Sequence, residues 1–505
     1  MTTLIRKAHI LTMDDKDSEY PSADILIQGK TITAIGPNLP LPKNDPDLKV
    51  IEAEGLLAMP GLVNAHIHSP GNFMKGALDD TPLEIFMLYE VPPLSDKTPS
   101  GRLNYVRTML GILEMLKIGV TAVHDDAFHI PIPTTESIDG LTQAYADSGI
   151  RAAVTLDQPN VVEYEKYPFL YDLLPESIRK EMASAPILST EELLSIYRDY
   201  IKRWHGACEN RISASISCSA PQRVTVDYFH GLSELSRKHD LPFKIHILET
   251  KLQRVLGEEK FKKSFIRYVH DLGILDERVV VVHSIWVDEQ DIQLMAKAGC
   301  CVAHNPISNL KIGSGVMPFR RLRDHGLPIC LGTDEATVED TANMWGVAKV
   351  AGLIHKISDP DYRNWPKAPE ILNALTRGGS RSIRMGGRVG MLAPGYEADL
   401  ILIDLNTLAF TPLNDIRRQL VFCENGSSVV LTMVAGRVVA ERGKVLTVDE
   451  EALKAEAREI MVEYRKDMSR IDGWASKLEP YYREMYFRAA ARDVGMNRWA
   501  GPMKP

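Results

Sequence analysis

Leu57-Ala58-Met59-Pro60-Gly61-Leu62-Val63-Asn64-Ala65-His66-Ile67-His68 is an apolar run that ends in two histidines two positions apart. In an extended segment alternate side chains point the same way, so both imidazoles face one side and can share a cation. The pattern recurs down the chain. His246-Ile247-Leu248-Glu249, then Val279-Val280-Val281-Val282-His283, then Leu331-Gly332-Thr333-Asp334 each place polar groups just past a short hydrophobic stretch.

Around these runs the middle of the chain alternates strand and helix patterns. Strands are expected at 57–64, 119–124, 150–156, 212–219, 243–248, 279–283, 299–304 and 328–333. Helices are expected between them at 102–117, 190–204, 226–238, 258–271 and 287–297. Eight strands with helical crossovers predict an α/β fold, a (β/α)8 TIM-like barrel. A doubly wound open sheet is the alternative. The barrel is preferred because the polar residues end many separate strands, where barrel enzymes carry their chemistry. Both chain ends read differently. Residues 8–13, 23–28 and 31–35 alternate like antiparallel strands, and so do 398–403 and 428–434. Residues 1–57 and 388–447 are therefore expected to form one small β-sandwich domain, with the barrel of 58–387 inserted in it. Residues 448–505 form a C-terminal extension: a charged helix from Glu450 to Arg470, then an aromatic tail with Trp474, Tyr481, Tyr482, Tyr486, Phe487 and Trp499. That tail is expected to dock on the barrel or on a neighbouring subunit.

The 505 residues are 45% hydrophobic and 25% charged, ordinary values for a soluble globular protein with a large core. The net charge of −8 is spread among interspersed acids and bases, which argues against nucleic acid or an anionic membrane as partner. There is no apolar stretch of about 18 residues and no signal-peptide core, so a cytoplasmic location is expected. None of the six cysteines forms a CxxC pair; most sit in apolar runs and read as buried free thiols. The expected partners are a small-molecule substrate and further copies of the chain, as a dimer or tetramer.

Neutral imidazoles and carboxylates are the usual ligands of a catalytic divalent metal. His66, His68, His246 and Asp334 supply three nitrogens and one oxygen. A metal held there lowers the pKa of its water and makes hydroxide available near neutral pH. Asp334 is also placed to accept the water's proton. Glu249, three residues after His246, suits passing a proton to a substrate ring or leaving group. His283 suits holding the attacking oxygen or polarising the substrate. Each residue alone has an ordinary explanation, such as a core histidine or a helix cap; their occurrence together, in order, at strand ends, is what points to a metal site. The expected activity is a metal-dependent aminohydrolase acting on a planar C–N centre, with hydrolysis of an exocyclic amide, urea or carbon–halogen bond as the alternative. A non-catalytic assembly protein is a remote third reading, since such descendants usually lose ligands.

The run Pro60-Gly61-Leu62-Val63-Asn64-Ala65-His66-Ile67-His68 resembles the opening motif of the amidohydrolase superfamily. So do His246-x-x-Glu249, His283, His304-Asn305-Pro306-x-Ser308-Asn309-x-Lys311, Gly332-Thr333-Asp334 and the closing Gly390-x-Leu392-x-Pro394-Gly395-x-x-Ala398-Asp399-Leu400. They are similar to the branch of chlorotriazine hydrolases and of guanine and adenosine-type deaminases. The resemblance spans roughly residues 1–445. It implies one divalent ion per chain, zinc in preference to iron, on residues matching His66, His68, His246 and Asp334. Binuclear relatives use a modified lysine where this chain has Ser217-Cys218-Ser219-Ala220-Pro221-Gln222, which contains none. Glu249 matches the proton-shuttling glutamate of the deaminating members. The chain departs from the pattern at Ser219-Ala220-Pro221-Gln222, where many relatives carry His-Ala-Pro-Tyr. It also has Lys75 for a common arginine, and no tryptophan in 83–88. The substrate pocket has therefore diverged. Its candidate contacts are Asn72, Phe73, Lys75, Tyr89 and Glu90 after the first strand, with Gln222 and Asn309 from later strand ends. His124 lines the pocket or supports the ligands from behind, and His304 shapes the rim without being a ligand.

Overall fold

In the computed structural model, which describes residues 2–41, 45–95 and 97–501, the chain forms one nine-stranded sheet and two parallel sheets with helices between their strands. The nine-stranded sheet runs in the order 444–445, 437–441, 429–434, 400–404, 56–60, 2–11, 19–28 and 31–36, with 48–52 beside the start of 2–11. Strands from both chain ends thus share one sheet. Ile5, Ile10, Ile25, Ile27, Leu400, Leu402 and Met433 bury on one another in a core of its own.

The parallel strands fall into two sets. Leu62–Ile67, Val120–Asp125, Arg151–Val154 and Ile212–Ala214 make one sheet. Ile216–Ser217, Phe243–Ile247, Val279–His283, Cys301–His304 and Ile329–Leu331 make the other. The chain passes between the sheets at Ser215, whose amide donates to Val154 O at 2.8 Å while the amide of Ile216 donates to Pro242 O at 2.9 Å. The two free edges meet where the amide of Asp334 donates to His66 O at 2.9 Å and Ile67 bridges Asp334. Gly332 permits this approach, since a Cβ on it would lie 2.7 Å from the Cβ of His66.

The opening run does not make one strand. Leu56–Pro60 pairs antiparallel with Leu400–Asp404, and Leu62–Ile67 pairs parallel with Val120–Asp125. Pro60 has no N–H to continue a ladder, and Gly61 fits against Thr121 where a side chain would clash. The switch of sheets at 60–61 is the local consequence. The helix expected over 258–271 also starts late, at Phe265.

The C-terminal helix runs from Glu450 to Ala490, twenty residues beyond the expected end. Asp449 caps it by accepting from the amide of Ala452. Its buried stripe continues through Ala475, Leu478, Tyr482, Met485 and Ala489 at alternating steps of three and four, so packing carries the helix past Gly473 and Pro480. The aromatic tail docks on its own chain. Tyr482 hydroxyl contacts Glu163 Oε1 at 3.1 Å, and Trp499 packs on Trp286 and donates to Gly313 O at 2.9 Å. No described helix is long and apolar enough to cross a membrane. All six cysteines are free thiols.

Arg151 ties the two architectures together. It is buried and donates to both carboxylate oxygens of Asp399 at 2.9 Å and to Glu397 at 2.8 Å. Asp399 also accepts from the amide of Ala435, and its carbonyl accepts from Gly61 at the sheet switch. Replacing Arg151 leaves the buried Asp399 carboxylate without its cation, while Glu397 keeps Arg388, and costs about 3–5 kcal/mol. Arg151→Met should therefore lower the melting temperature sharply in a thermal melt. Adding Asp399→Leu should restore part of the loss.

Candidate functional site

His66 is the fifth residue of its strand, and His68 follows the strand end. His246 lies in Phe243–Ile247, and Asp334 lies three residues past Leu331. His66 Nε2 and His246 Nε2 are 3.2 Å apart, and His68 Nε2 and His246 Nε2 are 3.3 Å apart. Asp334 Oδ1 is 3.2 Å from His66 Nε2 and 3.5 Å from His68 Nε2. Ligands about 2.0–2.1 Å from a tetrahedral ion are separated by about 3.3 Å, and these four separations match that spacing. The groups close enough to hold an ion form two sets that share His66: His66, His68, Asp126 and His246, and His66, His283 and Asp334.

The groups behind them fix the direction of each lone pair. His68 Nδ1 is 2.6 Å from Asp126 O, and His246 Nδ1 is 2.8 Å from Ser219 O. A carbonyl can only accept, so the ring proton sits on Nδ1 and Nε2 is left bare toward the shared point. Ser308 Oγ donates to Asp334 Oδ2 at 2.7 Å and leaves Oδ1 to the imidazoles. His66 Nδ1 is buried with no hydrogen-bond partner among the described residues. Backbone strain collects at the same strand ends: Ser219, Leu248, His283, Ser284 and Asp334 all have φ between 50° and 71°. Each is a non-glycine residue held in the left-handed region, a conformation that persists only where surrounding structure enforces it.

The electrostatics suit a cation. Burial and the Lys244 ammonium hold His66 well below the ordinary imidazole range. Burial, with the neighbouring imidazoles, does the same to His246. Burial pulls His68 down too, but the carboxylates of Asp334, Asp126 and Asp157 outweigh it and raise the group. The field that draws a proton to His68 is the field that draws a metal ion. Asp334 is opposed by burial yet lowered by His283, His68 and His246, so it is ionised. Lys244 is itself buried beneath the site, donating to His124 O at 2.9 Å, and burial brings it down to about 8.

Beside this shell lies Glu249, buried, with Oε1 3.5 Å from His283 Nε2. Burial, then Asp334 and Glu84, push its carboxyl well above the ordinary range, which favours the protonated acid. His283 Nε2 is also 3.7 Å from Asp334 Oδ2, and its Nδ1 is 2.9 Å from Asn309 Oδ1. Burial lowers its pKa and keeps the ring neutral.

A narrow void of about 60 Å³ opens in front of these groups. Its apolar wall includes Phe86, Met87, Phe128 and Ile130. Three ionisable residues in the wall, Asp157, Arg223 and Glu335, were not among the sequence candidates. Asp157 follows the third parallel strand, and burial with the Asp126 charge raises it to about 7. Glu335 directly follows Asp334, and burial with Glu90 beside it pushes it well up. Their only sequence signal was position at a strand end.

The predicted contact residues separate into groups. Tyr89 and Glu90 line a second, larger cavity, and Glu90 accepts from Thr337 Oγ1 at 3.0 Å. Asn309 meets His283 and not the void. Asn72 is buried against the helix Gly101–Lys117, donating to Arg107 O at 3.0 Å. Phe73 packs edge-on against Tyr464 of the C-terminal helix, and Lys75 pairs with Glu114. Gln222 is buried away from both cavity walls. His124 hydrogen-bonds Ser215 Oγ at 2.8 Å behind the ligands, and His304 pairs with His355 at 3.1 Å outside the shell.

Residues 57–439 match the model of the Amidohydrolase family. The chain is 29% identical over 455 residues to a 5-methylthioadenosine/S-adenosylhomocysteine deaminase of Pelotomaculum thermopropionicum, covering 90% of this chain and 97% of that protein. It is 28% identical over 455 residues to a 5'-deoxyadenosine deaminase of Methanosarcina acetivorans, covering 90% and 96%. The fold superimposes with a TM-score of 0.80 on an adenosine deaminase from Xanthomonas campestris with bound zinc, at 24% identity over 92% of this chain and 98% of that one. The chain belongs to the amidohydrolase family.

Proposed function

We propose that this chain is a zinc-dependent deaminase of nitrogen heterocycles whose substrates are adenine nucleosides altered at the 5′ position. The class of reaction follows the deaminase relatives, and the adenine nucleoside follows their names. The observation that carries the mechanism is the buried Glu249 carboxyl, 3.5 Å from His283, standing beside the cluster of His66, His68, His246 and Asp334. In this reading the parallel strands, with Ile212–Ala214 and Ile216–Ser217 as two halves of one, close into a (β/α)8 barrel inserted at 61–387 between the two parts of a β domain. One ion is bound per chain.

His66, His68, His246 and Asp334 would hold the metal. When bound, the metal makes hydroxide available near neutral pH. Glu249 gives its proton to the ring nitrogen next to the attacked carbon. With Nδ1–H donated to Asn309, His283 presents Nε2 as an acceptor that orients the attacking water. The water supplies two protons. One replaces the proton given by Glu249; the other, taken up at Asp334 Oδ2, leaves with the amine as ammonia. The apolar wall of Phe86, Met87 and Phe128 keeps other water out.

The test is ammonia release from 5′-methylthioadenosine, S-adenosylhomocysteine and 5′-deoxyadenosine by zinc-loaded protein, followed with the loss of adenine absorbance. Ammonia matched to the lost absorbance supports the proposal; chloride or alkylamine from a triazine, with no ammonia from any nucleoside, overturns it. Glu249→Gln should lower kcat by about 10²–10⁴-fold while zinc content stays unchanged.

Because burial raises Glu249, kcat/KM should fall as pH rises through that raised value. The alkaline limb should be missing from the residual rate of Glu249→Gln. Dialysis against a chelator should abolish turnover, and zinc should restore it. His246→Ala should fail to regain activity under the same treatment, with sub-stoichiometric zinc by atomic absorption.

A further inference from the structure

A second cavity of about 610 Å³ adjoins the void at the metal site. Phe128 and Ile130 border both spaces, and Phe128 packs 6.1 Å from the His68 ring. The helix Leu83–Glu90 also serves both, giving Phe86 and Met87 to the inner void and Tyr89 and Glu90 to the outer cavity. The opposite wall is the C-terminal helix, through Ile460, Met468, Ile471 and Trp474. Lys97 to Asp467 at 2.8 Å and Arg102 to Glu456 pin the segment after Glu90 onto that helix. Of the acids at the rim, Glu456, Glu463 and Asp467 are each paired with a cation.

Inside, the charge is not matched. Arg107 lines the cavity and is 5% exposed. Among the described residues, no hydrogen bond or ion pair reaches its guanidinium, and its Nε is buried without a partner. The nearest acids act on it only at a distance, and one of them, Glu90, is pushed toward neutrality by burial. A guanidinium stays charged in proteins and presents a planar fork that matches a carboxylate. A buried one without a partner is costly unless a ligand supplies the anion. The inner void of about 60 Å³ is also too small for more than the reacting edge of a substrate, so the remainder must lie outside it.

We propose that the outer cavity is a subsite for the substrate's side arm: an apolar chain along the C-terminal helix that ends in a carboxylate on Arg107. The identity of the ring follows from the function proposed above, and the test separates the two. Binding is measured by calorimetry on zinc-loaded Glu249→Gln, with and without Arg107→Met. The ligands are S-adenosylhomocysteine, whose arm carries a carboxylate, 5′-methylthioadenosine, whose arm is neutral, and 4-phenylbutyrate, an apolar arm and carboxylate without a base.

Arg107→Met should weaken S-adenosylhomocysteine about 10- to 100-fold more than 5′-methylthioadenosine, as expected for one charge-assisted contact, and Arg107→Lys should recover part of the difference. Equal loss for both ligands, or no loss, overturns the subsite. If no nucleoside binds, the adenine reading has failed and phenylbutyrate decides alone. Saturable binding that Arg107→Met removes upholds the subsite; absent or unchanged binding overturns it. Should Arg107→Met not fold, Ile471→Trp fills the cavity instead. It should weaken both arm-bearing nucleosides more than adenosine, and an equal effect on all three overturns the proposal.

Discussion

Three imidazole nitrogens and a carboxylate oxygen converge on one buried point, with neighbouring separations of 3.2–3.5 Å. The carbonyls behind His68 and His246 hold the Nδ1 protons, so both rings turn Nε2 lone pairs to that point beside the Asp334 carboxylate. Such an arrangement is unfavourable in a low-dielectric interior unless a cation occupies its centre. Much of the surrounding structure exists to hold it. Two backbone carbonyls set the tautomers of His68 and His246, Ser308 turns Asp334, and five left-handed residues at four strand ends aim the chain into the mouth. The Arg151–Asp399 pair anchors the nine-stranded sheet against the strand Arg151–Val154, whose neighbour carries His124 at its C-terminal end. The rigidity of the site is thus borrowed from contacts far from it.

The sequence carried the ligand shell because strand and metal impose coincident rules. Alternation on an extended run puts His66 and His68 on one side, and the apolar runs before His246, His283 and Asp334 mark strands whose ends meet in space. The strand positions were legible for the same reason, within a few residues. What failed were boundaries decided by tertiary contacts. Pro60-Gly61 looks like a small interruption in one hydrophobic run, yet it transfers the chain between sheets, because Gly61 must sit against Thr121 and donate to Asp399. Gly473 and Pro480 look like stops, yet the buried stripe from Ala475 to Ala489 carries the helix through them.

Contact residues were harder to read, since a loop sequence does not say which way it folds back. Asn72, Phe73 and Lys75 follow His68 directly, but each finds a partner on a helix: Gly101–Lys117 for Asn72 and Lys75, the C-terminal helix for Phe73. The residues that do face the void, Asp157, Arg223 and Glu335, come from strand ends without a motif around them. Polar groups of that kind are invisible until the topology brings them together.

Their common property is electrostatic. Glu249 and Glu335 are driven well above the ordinary carboxyl range, and Asp157 to about 7, each chiefly by burial. A carboxyl kept neutral is both a donor and an acceptor, whereas a carboxylate only accepts. A wall of carboxyls raised toward the neutral form around Asp334, which is lowered, is suited to an uncharged planar ring whose edge alternates acceptor nitrogens with donor amines. It also confines fixed negative charge to the position where the metal's positive charge would answer it. Arg107 stands apart from this arrangement, and its unanswered cation belongs to a part of the ligand that does not react.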